Sequence, residues 1–437
     1  MQIIILGSNS VSIALAETLN QANHDITIVS SNKDALLKLD HKLDIKTIHG
    51  VPSYPQSLYQ AQAGAADIII AATTNDEMNM AACQIAYSLF KTPKKIAVIH
   101  TSQYFANQAL FANTDLPIDI TINPSQLMAQ HIFQLLGPQQ PEVFISHSNI
   151  QAIALKIEKI PNNKYPTYQE LALHYNIAIP AITTSNNLSK AQTTTIRQHE
   201  TALLVGEANN LQAAITELTD TTFHKKKIII AGGQATSIYF AAICAHKHHV
   251  TIIEPNLATC QKIASQLPNI TVLNGVASNN LLLTQEGIAD ADVFCALTED
   301  DEDNILMALQ AKHLLAKKTI AIVTQDNYIG ILDQNIVDYI ISPKKILKTY
   351  ITPYTRPIEL TNNIHIIDNN LEIIAIQRQH LNDKLLKSHG HLICGVIEND
   401  QFISGNSSIA SKNYTNAIFV IDNQDQLNKL EKIIRTT

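Results

Sequence analysis

Met1-Gln-Ile-Ile-Ile-Leu6 runs into Gly7-Ser-Asn-Ser-Val-Ser12, then Ile13-Ala-Leu-Ala-Glu-Thr-Leu19, and after a short polar break Ile26-Thr-Ile-Val29 and Ser30. The outer segments are short apolar runs, and Ile13, Leu15, Ala16 and Leu19 follow a helical pattern between them. Strand, tight turn, helix, strand is the opening of a Rossmann-type βαβ unit. A glycine at the strand end lets the chain turn sharply, and the next helix aims its first N–H groups at the crevice where a phosphate would sit. In the G-x-G-x-x-G frame Gly7 keeps the first position. Asn9 and Ser12 stand at the other two, and Ser30 stands where an acid would hold a ribose. The fold signal is therefore stronger than the ligand signal.

The same pattern returns. Lys227-Ile-Ile-Ile-Ala-Gly-Gly-Gln234 repeats the opening, with Gly232 lying 225 residues after Gly7. That spacing also joins Gly50 to Gly275, Ser53 to Ser278, Asp67 to Asp292, Thr73 to Thr298, Asp76-Glu77 to Asp301-Glu302 and Asn79 to Asn304. Matches at one constant offset mean two copies of one module of about 220 residues. In the first copy, apolar runs at Ile3–Leu6, Ile26–Val29, Ile45–Ile48, Ile68–Ala72 and Ile96–Ile99 alternate with helical patterns. Such runs mark parallel strands buried on both faces. Ile118–Pro124 and its counterpart Val337–Pro343 add sixth strands, and Pro124 and Pro343 suit the first turn of a helix.

After about residue 138 shorter strands follow: Val143–Ser146, Ile150–Ile157 and Thr201–Val205, with a turn at Ile160–Lys164 and a closing helix at Asn210–Leu218. The second copy offers strands at Ile364–Asp368 and Leu371–Ile376, a hairpin of Gly395–Ile397 and Phe402–Ser404 around Asn399-Asp400, a strand at Ala417–Ile421 and a helix at Gln424–Ile434. The expected fold is α/β, two tandem Rossmann-like doubly wound parallel sheets, each followed by a small α+β subdomain. The expected divisions are residues 1–137, 138–220, 221–356 and 357–437, with Thr219–Lys227 as the linker and Lys225-Lys-Lys227 as a solvated strand entrance.

Composition narrows the function. The net charge of −7 supplies no basic excess to hold nucleic acid. No apolar run reaches the ~18 residues of a membrane span, and the first residues read as a strand rather than a signal peptide. Five cysteines without pairing or metal spacing read as reduced core thiols of a cytosolic protein. With 13 glycines in 437 residues, few are left for phosphate loops.

Candidate nucleotide contacts cluster at the strand ends. In the first copy they are Gly7, Asn9, Ser10, Val11, Ser30, Gly50, Val51 and Thr73. In the second they are Gly232, Gly233, Gln234, Ala235, Glu254, Gly275, Val276 and Thr298. Glu254 ends the second strand 22 residues after Gly232, where a carboxylate can accept from both ribose hydroxyls. Gly50–Ser53 and Gly275–Ser278 serve equally as an adenosine floor or as plain turns. For Thr73–Glu77 and Thr298–Glu302, capping of the next helix is favoured over ligand contact. Tyr87-Ser-Leu-Phe-Lys91 has the Tyr-x-x-x-Lys spacing of short-chain dehydrogenases, but two fixed positions recur by accident and the second copy lacks them. His246, His248 and His249 have no Cys or Asp cluster beside them and read as a solvated helix end rather than a metal site. No catalytic motif is found.

The paired architecture, together with Met1–Gly7, Asn79–Phe90, Ile228–Gly233, Asp119–Pro124 and Asp338–Pro343, resembles the TrkA family of Trk-type potassium uptake regulators, whose modules are RCK domains. The resemblance covers nearly the whole chain. It implies a cytosolic, non-enzymatic subunit, peripheral on the inner face of the cell membrane, that docks on a TrkH-type potassium translocator. It also implies a homo-oligomer, dimer or tetramer, and NAD(H) or ATP/ADP as regulatory ligand in the crevices. Gly7 and Gly232 fit the family's turn and Glu254 its ribose acid. Asn9, Ser12, Gln234 and Ser237 depart from its glycines and Ser30 from its acid. Val51 and Val276 stand where an Asp is common, and Val98 and His100 where basic residues are common. The second crevice is therefore the expected ligand site; the first binds weakly, binds something different, or is structural. Two other readings stay open: an NAD-dependent oxidoreductase, and a structural ring subunit that no longer senses nucleotide.

Overall fold

A computed structural model of the chain describes residues 1–22, 24–105, 108–111, 115–136, 150–160, 165–184, 187–190, 194–198, 200–219, 225–329, 336–355, 364–367, 371–381, 393–398, 401–404, 414–421 and 426. The chain forms two compact units. One holds residues 1–132 and 225–348; the other holds residues 133–224 and 349–437.

The first unit contains both Rossmann-type modules. In the first module β1 (Gln2–Leu6), α1 (Ser10–Gln21), β2 (Asp25–Ser30), α2 (Lys33–Lys42), β3 (Lys46–His49), α3 (Pro55–Gln60), β4 (Ile68–Ala71), α4 (Asp76–Ile85), β5 (Lys94–Val98), α5 (Ser102–Phe105), β6 (Ile120–Ile122) and α6 (Pro124–Gln134) alternate. The sheet order is β3-β2-β1-β4-β5-β6 and every pairing is parallel. This is the doubly wound order, with its switch point between β1 and β4. Ile3, Ile4, Ile5 and Leu6 are all buried, as a central strand covered on both faces requires. Asn32 and Asn75 cap α2 and α4 through side-chain oxygens that accept from Ala35 N–H (3.0 Å) and Met78 N–H (2.6 Å). Pro124 opens α6 as its position predicts. The stretch Asn79–Phe90 is α-helical to Ile85 and then widens into a π-turn at Ala86–Phe90, closed by Lys91 at φ 56°.

In the second unit, β7 (Ile150–Lys156), α7 (Tyr168–Tyr175), β8 (Ala178–Thr184), β9 (Asn187–Lys190), β10 (Thr201–Glu207) and α8 (Ala208–Leu218) form the first small layer. Its antiparallel order is β7-β10-β8-β9. Strand β8 has no clear sequence signal because Pro180 interrupts its apolar run. The proline falls where the β8–β10 register slips, between Leu203 and Val205, so its missing N–H costs no regular ladder bond.

The second module belongs to the first unit. It runs β11 (Lys227–Ala231), α9 (Ala235–Cys244), β12 (His249–Glu254), α10 (Leu257–Gln266), β13 (Thr271–Asn274), α11 (Asn280–Gln285), β14 (Val293–Ala296), α12 (Asp301–His313), β15 (Thr319–Ile322), α13 (Asp326–Ile329), β16 (Tyr339–Ile341) and α14 (Pro343–Ile351). Its order, β13-β12-β11-β14-β15-β16, repeats the first sheet strand for strand. Lys227 is not a solvated entrance: its Nζ donates to the Glu286 and Gly287 carbonyls at 2.5 and 3.1 Å.

The last small layer, in the second unit, holds β17 (Ile364–Ile367), β18 (Leu371–Gln377), β19 (Ile393–Glu398), β20 (Gln401–Ser404) and β21 (Asn416–Ile421) in antiparallel order β17-β18-β21-β19-β20. Leu203, Val205, Ile373, Ala375, Phe402 and Ile418 share one buried cluster, so the two small sheets of this unit bury apolar faces together. Asn176 Nδ2 donates to Phe402 O at 2.8 Å and Glu207 accepts from Phe402 N–H at 3.0 Å across the same contact. The expected strand at Val143–Ser146, the hairpin tip at Asn399-Asp400, residues 161–164 of the turn and residues 220–224 of the linker lie outside the described residues; so does the Gln424–Ile434 helix, apart from Gln426.

Candidate nucleotide-binding crevices

Both modules bring the expected residues together at the carboxyl edge of the sheet. Gly7 adopts φ +121° and its N–H donates to Val29 O at 2.9 Å. A Cβ there would lie 2.7 Å from the Ala72 carbonyl, so only glycine fits the turn. Gly232 repeats this at φ +98°, its N–H on Ile253 O at 2.9 Å. Gly50 and Gly275 close the third strands, with N–H groups donating to the carbonyls of Ser30 (3.0 Å) and Glu254 (3.1 Å). A Cβ on Gly275 would come within 2.7 Å of Leu282, which is a packing reason for that glycine. Val51 is half-buried and Val276 is exposed.

The two turns then diverge. In the first, Asn9 and Ser12 build a capping box. Asn9 Oδ1 accepts from Ser12 N–H at 2.9 Å and from its hydroxyl at 2.7 Å, while Ser12 Oγ accepts from Asn9 N–H at 3.1 Å. Asn9 Nδ2 donates to Ala72 O at 2.9 Å, pinning the cap to the end of β4. The residues that replace the two glycines thus satisfy α1's own N-terminal groups. Ser10 is exposed and Val11 half-buried on the same turn.

In the second, Gln234 has nearly the same backbone (φ −73°, ψ 169°, against −81° and 178° for Asn9) but makes no side-chain cap. Its longer side chain is exposed, as is Ala235. Ser237 is fully buried and its hydroxyl has no hydrogen-bond partner. The first N–H groups of α9 keep their partial positive charge without a side-chain oxygen in front of them.

The ribose position differs in the same sense. Glu254 is 8% exposed. One carboxylate oxygen accepts from Gly233 N–H at 2.7 Å and the other from Asn256 N–H at 2.9 Å. A Cβ on Gly233 would press on Thr259, Ile263 and Glu254, so the second glycine of this turn gives the acid its place. In the first module Ser30 Oγ makes the smaller equivalent: it bonds the Ser8 hydroxyl at 2.8 Å and accepts from Asn32 N–H at 3.1 Å.

The helices that follow are capped from within Thr73–Glu77 and Thr298–Glu302, as expected, though not by the threonines themselves. The caps are Asn75 and Asp300, the latter accepting from Asp303 N–H at 2.8 Å. Each threonine is locked by a fully buried asparagine that is not among the candidate ligand contacts. Asn79 Oδ1 accepts from the Thr73 N–H (3.0 Å) and hydroxyl (2.7 Å), and its Nδ2 donates to the carbonyls of Thr73 (3.0 Å) and Val98 (2.8 Å). Asn304 does the same for Thr298 and Ile322. The shared spacing of Thr73/Asn79 and Thr298/Asn304 was the sequence signal. Asp76, 5% exposed, accepts from the His100 and Thr101 N–H groups at 2.9 Å each and from His100 Nδ1 at 3.0 Å. Burial pushes its carboxyl up, but those hydrogen bonds outweigh it and hold the pKa below the usual aspartate value. Asp301 accepts from Thr324 and Gln325 in the same way.

The remaining motifs take other roles. Lys91 Nζ sits 5.3 Å from the Tyr87 ring centroid, and Lys95 Nζ 5.6 Å, so the Tyr-x-x-x-Lys spacing yields cation–π contacts on the ring face. His248 Nδ1 accepts from Lys226 N–H at 3.2 Å. Burial, Lys226 and Lys247 hold its pKa below the ordinary histidine value. Among the described residues no group of three or more His, Cys, Asp or Glu could hold a metal, and no helix is long and apolar enough to cross a membrane.

Two parallel six-stranded sheets of Rossmann order, each with a glycine turn at its switch point, define a tandem Rossmann-type protein with two small antiparallel layers. The TrkA-N domain family matches residues 3–124 and 228–343, which are the two modules. The chain belongs to the TrkA family of Trk system potassium uptake proteins. It is 34% identical to the Trk system potassium uptake protein TrkA of Halomonas elongata, over 79% of this chain and 77% of that one. It is 32% identical to TrkA of Vibrio alginolyticus, over 83% and 81% of the two chains. Among solved structures, the GsuK channel bound to NAD matches all of this chain and 79% of its own at TM-score 0.67 and 18% identity. The GsuK RCK domain matches all of this chain and 95% of its own at TM-score 0.64 and 17% identity. Those likenesses are of fold.

Proposed function

We propose that the chain is a nucleotide-sensing regulatory subunit of a Trk-type potassium uptake system, and that its second crevice takes the ligand. One observation carries the choice of crevice. The N-terminus of α1 is sealed by Asn9 and Ser12, whereas that of α9 has no side-chain cap and stands beside Glu254. An adenine dinucleotide or ATP/ADP fits these residues: the N–H groups at Gln234–Thr236 for phosphate, Gly233 for close approach, and Glu254 for ribose hydroxyls. Two GsuK structures are bound to NAD and to ADP, which supports this class of ligand. The ligand's contribution is regulatory. It favours whichever conformation of the assembly binds it better, by its differential affinity alone. The regulated partner is a TrkH-type membrane translocator, engaged at the inner face of the membrane by a dimeric or tetrameric assembly of this chain. Each Rossmann-type module with its small layer is one regulatory repeat, divided near residues 137, 220 and 356.

Calorimetric titration of the full chain with NAD, NADH, ATP and ADP tests the reading. One ligand per chain is expected, with thermal stabilisation of about 2.7 kcal/mol at 100 times Kd. No binding by any of the four sinks the sensor; two equal sites per chain sink the choice of crevice. Co-purification with a membrane potassium translocator tests the partner.

A further inference from the structure

We infer that Tyr239 is a positioning residue that ties the second crevice to the strand ends of the first. Tyr239 is the fifth residue of α9, one turn in from the uncapped N-terminus. Its hydroxyl accepts from Asn123 Nδ2 at 3.0 Å and donates to the His100 carbonyl at 3.4 Å. Asn123 Nδ2 also reaches that carbonyl, at 3.1 Å, so the three groups close on one another between the modules of the first unit. Each end of the cluster is anchored. Asn123, buried before α6, accepts from Gln126 N–H at 3.0 Å through Oδ1. His100 is held by Asp76, the first residue of α4, and the same helix carries Asn79, which binds Thr73 and Val98. Hydrogen bonds and one short helix segment therefore run from α9 to the ends of β4 and β5 in the first module.

The link has a direction. By the 225-residue offset the position of Tyr239 in the first module is Ala14, which has no hydroxyl to offer. A second polar bridge is different in kind: Lys344 of α14 pairs with Glu17 of α1 at 2.7 Å, and Lys42 pairs with the same carboxylate at 2.5 Å. The helix whose N-terminus is free for a ligand is thus the one that carries the tyrosine. This inference rests on the proposed use of the second crevice. A phosphate on the first N–H groups of α9 restrains that helix, and Tyr239 passes the restraint to the His100 carbonyl, so the capped, sealed module responds without binding anything.

Hydrogen exchange of the full chain tests the inference, with and without whichever of NADH, NAD, ATP or ADP binds best, alongside calorimetry on the same samples. In the wild type, ligand should slow exchange at residues 98–104 and 123–127 about fivefold, the factor one retained hydrogen bond is worth. Tyr239→Phe keeps the ring and removes the hydroxyl. It should bind the ligand with affinity within about threefold of wild type, keep the ligand-induced protection at residues 232–240, and lose it at residues 98–104. Asn123→Ala, changed on the other side of the contact, should do the same. A merely structural tyrosine would raise exchange with and without ligand alike and leave the ligand-induced difference intact, which overturns the inference. Wild-type binding with no change in the first module also overturns it. No binding to the wild type removes the crevice reading and this inference together, and calorimetry separates that case from the others.

Discussion

Replacing Gln234 by asparagine should rebuild in the second module the cap that closes the first. The backbone at Gln234 already matches that at Asn9, and Ser237 stands three residues on with an unpartnered hydroxyl, as Ser12 stands beside Asn9. An asparagine Oδ1 would accept from the Ser237 N–H and hydroxyl. An N-cap of this type is worth about 0.5–2 kcal/mol. Ligand-free Gln234→Asn should therefore melt about 2–4 °C higher for each kcal/mol gained. A nucleotide phosphate that uses the same N–H groups must first displace the new cap, so affinity should fall by the same free energy, about fivefold for 1 kcal/mol and about 30-fold for 2. Differential scanning calorimetry of the free protein and titration with the best-bound nucleotide measure the two quantities independently. Opposite changes of matching size are the expected result. A variant that gains stability and keeps its affinity would falsify the assignment of phosphate to α9. A variant that loses stability would show that the two turns are not equivalent.

Other outcomes follow from the same geometry. Gly7→Ala and Gly232→Ala should each cost about 1–3 kcal/mol in urea unfolding; Gly7→Ala should cost more, because its Cβ would lie 2.7 Å from the backbone Ala72 carbonyl oxygen, whereas at Gly232 the backbone Leu297 carbonyl oxygen is 3.2 Å away and the nearer Thr298 methyl can shift. Asn79→Ala and Asn304→Ala should each lose about 2–4 kcal/mol, since each strands a half-buried threonine's N–H and a buried strand carbonyl; losses differing by more than about 1 kcal/mol would refute their equivalence. Asp76 has a folded pKa below its unfolded value, so it contributes stability above the unfolded pKa of about 3.9 and loses it as pH falls through the folded one. The stability gap between wild type and Asp76→Asn should then be constant above about pH 5 and narrow below about pH 4, and a gap unchanged down to pH 2 would count against the charge as its source.

The architecture was legible because it was written twice. One offset aligned Gly7 with Gly232, Thr73 with Thr298 and Asn79 with Asn304, and those pairs prove to be the residues that shape the turns and strand ends in both modules. Strand β8 was not legible, because Pro180 hides it and a register slip in its partner accommodates the proline. At the crevices the lost glycines could be read, but not what replaced them. Whether Asn9 caps a helix or faces a ligand depends on side-chain length and on a carbonyl 63 residues away. Glu254 was legible as an acid at the right place, whereas its bonds to Gly233 and Asn256 needed three-dimensional placement. Tyr239 gave no signal, since its partners lie 116 and 139 residues distant.

Duplication lets fold and ligand requirements be separated within one chain. What both modules keep is what the sheet needs: the positive-φ glycine, the Thr–Asn lock, and an acid at the head of α4 or α12 that accepts N–H groups past β5 or β15. At the crevices they differ in the first turn of one helix and in the residue that ends the second strand, Asn9 with Ser30 against Gln234 with Glu254. A turn relieved of a phosphate must satisfy its own N–H groups, and Asn9 with Ser12 does so. A turn that receives a phosphate gains nothing from a cap that competes with it. On the proposed assignment of the ligand to the second crevice, the uncapped helix, the orphaned Ser237 hydroxyl and the acid at Glu254 are three consequences of one constraint, and the capped helix with its neutral Ser30 is the form that a module without that constraint takes.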